Sequence, residues 1–182
     1  MTLETFLSEK KPAVIEKWFN LILATYPADT SSFLKNQKDR FTNPVGHTIY
    51  QGIEKILEGV AKGVDLDKVS PFLDSILRVR AVQDFSPSQA VAFIFSLKDV
   101  IRQVLAEDKD LALSCEELRT LDSRIDSLAL ACFDIFMKCR EKLYEIRANE
   151  LRNMTFRLVQ RANSLGGEGD AESASPSGKK QQ

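Results

Sequence analysis

A chain of 182 residues, 43% hydrophobic and 28% charged, has the size and composition of one globular domain with a buried core. Its formal net charge of -1 excludes a general nucleic-acid binder, whose balance is basic. Three cysteines make no disulfide framework, no apolar run approaches the ~18 residues that span a bilayer, and the N-terminal MTLETFLSEKK lacks the apolar segment of a secretory signal, so the expected address is the cytoplasm without membrane insertion.

The elements that the pattern predicts are all helical. Leu3, Phe6 and Leu7 make an apolar turn after Thr2, which is placed to cap it. Pro12 suits the first turn of the next helix, where Ile15, Trp18, Phe19, Ile22 and Tyr26 recur at helical spacing and Val14 and Leu21 widen the face. Tyr26-Pro27 ends it, because the residue before a proline is pushed out of the α region. The stretch SSFLKNQKDRF reads as one or two short helical turns. Asn43 caps the helix that follows and Pro44 takes its first position. Val45, Ile49, Ile53, Ile56, Leu57 and Val60 form its inward stripe up to a stop at Gly63. Gly46 and Gly52 fall inside this helix, where glycine costs up to ~1 kcal/mol against alanine, so each predicts a close backbone approach such as a helix crossing.

Ser70 and Pro71 read as the cap and first residue of a helix with the apolar face Phe72, Leu73, Ile76, Leu77 and Val79. The helical period extends that face onto Arg80 and Gln83, while Arg78 points elsewhere. A break at Asp84-Phe85 precedes Ser86-Pro87-Ser88-Gln89, a capping box with proline inside. From Ala90 to Leu97 only Ser96 is polar, so this helix is expected to be central and apolar nearly all round, with Val100, Ile101, Val104 and Leu105 continuing one face. AEDKDLALS is a loop, and Ser114 with Glu117 makes a second capping box.

No proline or glycine then appears until Gly166, a helical run far beyond the ~11–12 residue mean. Leu118, Leu121, Ile125, Leu128, Cys132, Ile135 and Cys139 repeat at spacings of three and four, a coiled-coil-like seam that predicts the contact of a homodimer. Leu143, Ile146, Leu151, Met154 and Leu158 keep the helix amphipathic after the strict heptad ends, and its last turns are expected to project from the domain. The domain is thus expected over residues 1–165. The remaining 166–182, GGEGDAESASPSGKKQQ from Gly166, read as a disordered polar tail with no core former.

The strings NPVGHTIYQGIEKILEG and SILRVRAVQDFSPSQAVAFIFSLKDVIR, with AVIEKWFNLILATYP ahead of them, resemble the RsbRD-type N-terminal domain, the sensor half of the RsbT co-antagonist proteins of bacterial stressosomes. The resemblance covers roughly residues 3 to 160. It implies an all-α, globin-like fold that has lost haem, dimeric in its usual state, with a role in receiving signals for the stress response and none in catalysis. In larger relatives the last helix leads into a STAS domain that contacts partner proteins. Here only a short polar tail follows, so the resemblance implies a stand-alone regulatory or adaptor subunit.

Arg80, Gln83 and Phe93 are the candidate ligand or switch residues. A guanidinium facing the core is costly unless paired, so Arg80 needs either a carboxylate, from Asp74 or Asp84, or an anionic ligand. The plain reading is an internal structural pair; the functional one is a ligand or switch site. His47 is the one histidine, in the first turn of an early helix, where a globin's proximal ligand does not lie. A lone histidine also leaves no histidine-cluster metal site, so no cofactor or metal is expected. Cys132 and Cys139 share a face and read as small buried hydrophobes, with a redox contact across a dimer seam as the alternative. Trp18, Phe19, Phe72, Phe93 and Phe95 are expected to fill the core or line a cavity. From Glu116 to Asp126 the long helix carries four acids and two Arg, and from Lys138 to Arg161 seven bases and three Glu, an order that suits its dipole and leaves a basic end for an acidic partner.

With no nucleophile motif or phosphate loop, the expectation is a non-enzymatic cytoplasmic sensor, homodimeric through helices that include the long one, with a small apolar or anionic ligand or an unidentified protein partner as its signal. A ligand-free adaptor is the alternative.

Overall fold

The computed structural model describes residues 1–35, 41–83, 85–108 and 112–167. Expectations that rest on Asp84, on parts of two loops and on the tail beyond Gly167 lie outside the described residues. The chain divides into two compact units, Met1–Arg140 and Glu141–Gln182.

Among the described residues there are seven helices and no strand: α1 (Leu3–Glu9), α2 (Lys11–Leu23), α3 (Ala28–Leu34), α4 (Pro44–Lys62), α5 (Leu66–Val82), α6 (Pro87–Glu107) and α7 (Cys115–Gly167). The fold is all-α with a long C-terminal helix. The predicted caps position most of the starts. Thr2 Oγ1 accepts from the Thr5 N–H at 3.2 Å, and Asn43 Oδ1 accepts from the Gly46 N–H at 2.8 Å. Ser86 and Gln89 form the reciprocal capping box of α6. Gly63, at φ +90°, closes α4 in a conformation that side chains rarely adopt.

Two starts differ from expectation. α5 begins at Leu66, four residues before Ser70, and carries Pro71 inside it. One proline removes a single N–H, and burying Val69 against Gly59 holds the extra turn in place. At α7, Ser114 Oγ accepts from the Glu117 N–H at 3.1 Å, but the Glu117 carboxylate does not close the box. It accepts the Leu3 N–H at 3.0 Å instead and so ties the start of α7 to the start of α1.

The core of the first unit forms where α4 packs on α5 and where α2 packs on α6 and α4. Trp18, Ile49, Ile53, Leu77, Ile94, Leu97 and Ile101 are fully enclosed in it. Gly52 marks the α4–α5 crossing, as expected: a Cβ there would meet Ile76 Cδ1 at 2.8 Å. Gly46 serves a different contact. Its Cβ would press on the Leu34 carbonyl oxygen at 2.5 Å and on the Asn43 side chain, so glycine lets the end of α3 dock on the start of α4. α6 is buried on one side through Phe93, Ile94, Leu97 and Val100, but Ala92 and Phe95 are exposed. The helix is therefore not enclosed all round, and Phe95 does not fill the core.

The first part of α7 is held by polar contacts along its length. Arg102 Nη2 donates to both Asp122 carboxylate oxygens at 3.0 Å, and Lys98 pairs with Asp126 at 2.7 Å. Arg124 Nη1 donates to the carbonyls of Val60 and Ala61 at 2.7 and 3.1 Å, supplying a cation where α4 exposes its last carbonyls. Arg140 Nη1 donates to the Ala81 carbonyl at 3.1 Å.

Candidate functional site: a buried arginine at a four-helix junction

Arg80 is fully buried near the end of α5. Its Nη1 donates to the carbonyls of Gln89 and Ala90, at 3.0 and 3.4 Å, in the first turn of α6. Nη2 reaches Thr25 Oγ1 at 3.4 Å, just beyond α2. Three aromatic rings surround the guanidinium: Phe93 at 4.8 Å, Phe85 at 4.9 Å and Tyr26 at 5.8 Å. Ring faces attract a cation by about 0.5–2 kcal/mol each, more when water is excluded. Cys132 of α7 lies close enough for its thiol to feel the charge.

The carboxylate partner expected from Asp74 is not there. Asp74 pairs with Arg78 at 2.7 Å, one helical turn along the exposed side of α5. Among the described residues Arg80 has no ion pair, and its Nε and the Tyr26 hydroxyl are both buried without a hydrogen-bond partner. Burial pulls the guanidinium down from its ordinary value, yet arginine stays charged in proteins. Burial likewise raises the Tyr26 phenol, and it pushes the Cys132 thiol up to about 12. The site is thus a buried cation stabilised by carbonyls and π-faces, joining the end of α2 and helices α5, α6 and α7.

Of the predicted switch residues, Phe93 joins Arg80 and also stacks on Trp18 with ring centroids 6.2 Å apart. Gln83 does not join them. It caps α5 at φ -87°, ψ 20° and is exposed, because the backbone has left the helical conformation that the period assumes. Tyr26 lies buried as the apolar spacing of α2 predicts, although the helix itself ends at Leu23, whereas nothing in that spacing marks Thr25 or Phe85. Those two lie just outside helices, where periodicity is a weak guide to side-chain direction.

The heptad seam is used inside the chain. Leu121, Ile125, Leu128 and Cys132 are fully buried in the unit's own core, and Leu118, Ile135 and Cys139 are partly covered. A 3-4 stripe records a buried face without stating whose surface buries it, and here the chain's own first unit encloses most of it. The open apolar surface lies beside it, in a groove of about 840 Å³ lined by Val91, Ala92, Phe95, Ala129, Leu130 and Phe133.

His47 is half-buried in the first turn of α4, and no group of three or more metal-ligating side chains converges among the described residues. No helix among them is long and apolar enough to cross a membrane.

Residues 12–151, which include every element of this junction, match the family described as the RsbT co-antagonist protein rsbRD N-terminal domain. The chain belongs to this family. An RsbRD N-terminal domain is a regulatory module, and α3 to α6 lie wholly within the matched span, with α2 from Pro12 onward and α7 as far as Leu151. An uncharacterized protein of Archaeoglobus fulgidus is 26% identical over 142 residues, covering 75% of this chain and 82% of its own. No solved structure matches.

Proposed function

We propose that this RsbRD N-terminal domain is a non-enzymatic, cytoplasmic signal receiver related to the stressosome, globin-like without haem, which works as a homodimer and relays its signal through α7. The observation that carries the relay is the position of Arg80. One buried cation bonds to the end of α2 and the first turn of α6 and lies within electrostatic reach of the buried Cys132 of α7, and the neighbouring Ala81 carbonyl accepts a hydrogen bond from Arg140 farther along the same helix. A small anionic ligand or a partner protein that engages this junction repacks Arg80 and Phe93, and α7 responds at both contacts. Two packings that differ by a few kcal/mol suffice for such a switch.

The second copy docks on the groove between α6 and α7, where Phe95, Leu130 and Phe133 are exposed. Apolar patches of this kind mark interaction surfaces. Hydrogen exchange along 128–150 in wild type and Arg80→Met tests the relay: faster or slower exchange in the variant supports it, and identical exchange with identical partner binding sinks it. The adaptor reading is favoured by one feature, the exposed apolar residues of α7 beyond Arg140. Truncation at Leu143 separates the two, since a pure adaptor then loses its partner while a sensor keeps its ligand.

A further inference from the structure

In the second unit, α7 continues from Glu141 to Gly167, and most of its described apolar side chains beyond Leu143 are exposed. Leu151, Met154, Leu158 and Val159 are 64%, 60%, 62% and 51% exposed. On a helical projection Ala148, Leu151, Met154, Thr155, Leu158, Val159 and Ala162 occupy one sector of roughly 140°. The edges of that sector are basic. Arg161 lies just outside it on one side and Arg152 just outside it on the other, Arg147 sits within its margin between Met154 and Leu158, and residues 151–167 contain three Arg and no Asp or Glu.

We infer that this half of α7 is a docking helix for an acidic amphipathic helix of another protein, whose apolar stripe covers Leu151 and Leu158 and whose carboxylates meet Arg147, Arg152 and Arg161. Two facts select this occupant over a second copy of the chain. With Leu151 and Leu158 at d positions and Ala148, Thr155 and Ala162 at a positions, a parallel pair sets Arg147 of one copy against Arg152 of the other. An antiparallel pair centred between Leu151 and Leu158 sets Arg147 against Arg161. Both self-pairings place like charges together beside an a position filled only by small residues, whereas glutamates on a partner's flanks neutralise all three arginines. The inference rests on the residues of this unit alone, so its failure leaves the Arg80 relay and the groove dimer untouched.

The test is fluorescence anisotropy with the full chain and a labelled three-heptad peptide carrying Leu at a and d and Glu at e and g. Controls are the same peptide with Lys at e and g, a scrambled peptide of the Glu composition, and phosphatidylserine vesicles. The Glu peptide is expected to bind and the two control peptides not to. Leu151→Glu with Leu158→Glu abolishes that binding, and Arg152→Glu with Arg161→Glu weakens it about tenfold and reduces its salt dependence. All four positions are exposed, and an unchanged helical circular dichroism signal confirms that the variants fold. Equal binding of the Lys or scrambled peptide overturns the inference, as does no binding at all. Preference for the vesicles reassigns the helix to a lipid surface. Loss of oligomer mass in the Leu151→Glu, Leu158→Glu variant reassigns it to self-pairing; either result overturns the proposal.

Discussion

Arg80 brings a full positive charge to a place without water, and the described surroundings answer it with dipoles and rings rather than a carboxylate. Replacing a buried charge by an apolar side chain of similar length is often neutral or stabilising, by about 1–4 kcal/mol. Arg80→Met should therefore keep or raise the midpoint of urea unfolding, while Arg80→Ala, which leaves a cavity among Phe85, Phe93 and Tyr26, should lose about 2–5 kcal/mol. A steep loss in Arg80→Met would show that the charge itself is structural, and the switch reading would lose its basis. Cys132 makes a pH-dependent prediction at the same site. Its folded value is raised from 9.0 to about 12 by burial, so the stability this gives is complete below pH 9 and is lost as pH rises towards 12, where the unfolded chain ionises first. Wild type should thus lose stability more steeply than Cys132→Ala across that window, by about 1.4 kcal/mol per pH unit where the difference is greatest. Equal slopes in the two proteins would contradict the enclosure of the thiol.

Helices were legible because most of their signals are local. Asn43 and Ser86 with Gln89 act through hydrogen bonds within a turn of where they stand, and Gly63 acts through its own φ of +90°. Two things were not local. The start of α5 depends on Val69 finding Gly59 across the α4–α5 contact, which no cap signal announces. The destination of the 118–139 stripe depends on which helices pack beside α7. Of the candidate site, Arg80, Phe93 and Tyr26 are readable from the period, while Thr25 and Phe85 come to them through the tertiary fold. The two glycines of α4 show the same division and can be separated by experiment. At Gly46 the obstacle is the Leu34 backbone carbonyl, which cannot swing away, so Gly46→Ala should cost about 1–3 kcal/mol. At Gly52 it is the tip of Ile76, and a small rotamer shift offset by the better helix propensity of alanine should leave Gly52→Ala within about 1 kcal/mol of wild type. Equal losses in urea unfolding would mean that the α4–α5 crossing is as rigid as the α3 contact.

At the scale of the whole molecule, the burial of the heptad face decides how two copies can meet. A dimer through Leu121, Ile125 and Leu128 would have to strip those residues from the first unit's own core, at about 1.5–3 kcal/mol for each large side chain re-exposed. The α6–α7 groove needs no such opening, since Phe95, Leu130 and Phe133 are already 45%, 72% and 47% exposed on its rim. The two routes predict opposite behaviour in light scattering coupled to size exclusion. If the groove is the interface, Leu130→Glu with Phe133→Glu should convert a dimer to a folded monomer with an unchanged unfolding midpoint, because neither side chain holds the monomer together. Leu128→Glu should instead unfold the first unit, dimer or not, because it places a carboxylate in a sealed core at a cost of several kcal/mol. A dimer that survives the groove variant would remove the groove from the interface, and a wild-type monomer would confine α7 to intramolecular relay and to partners other than a second copy.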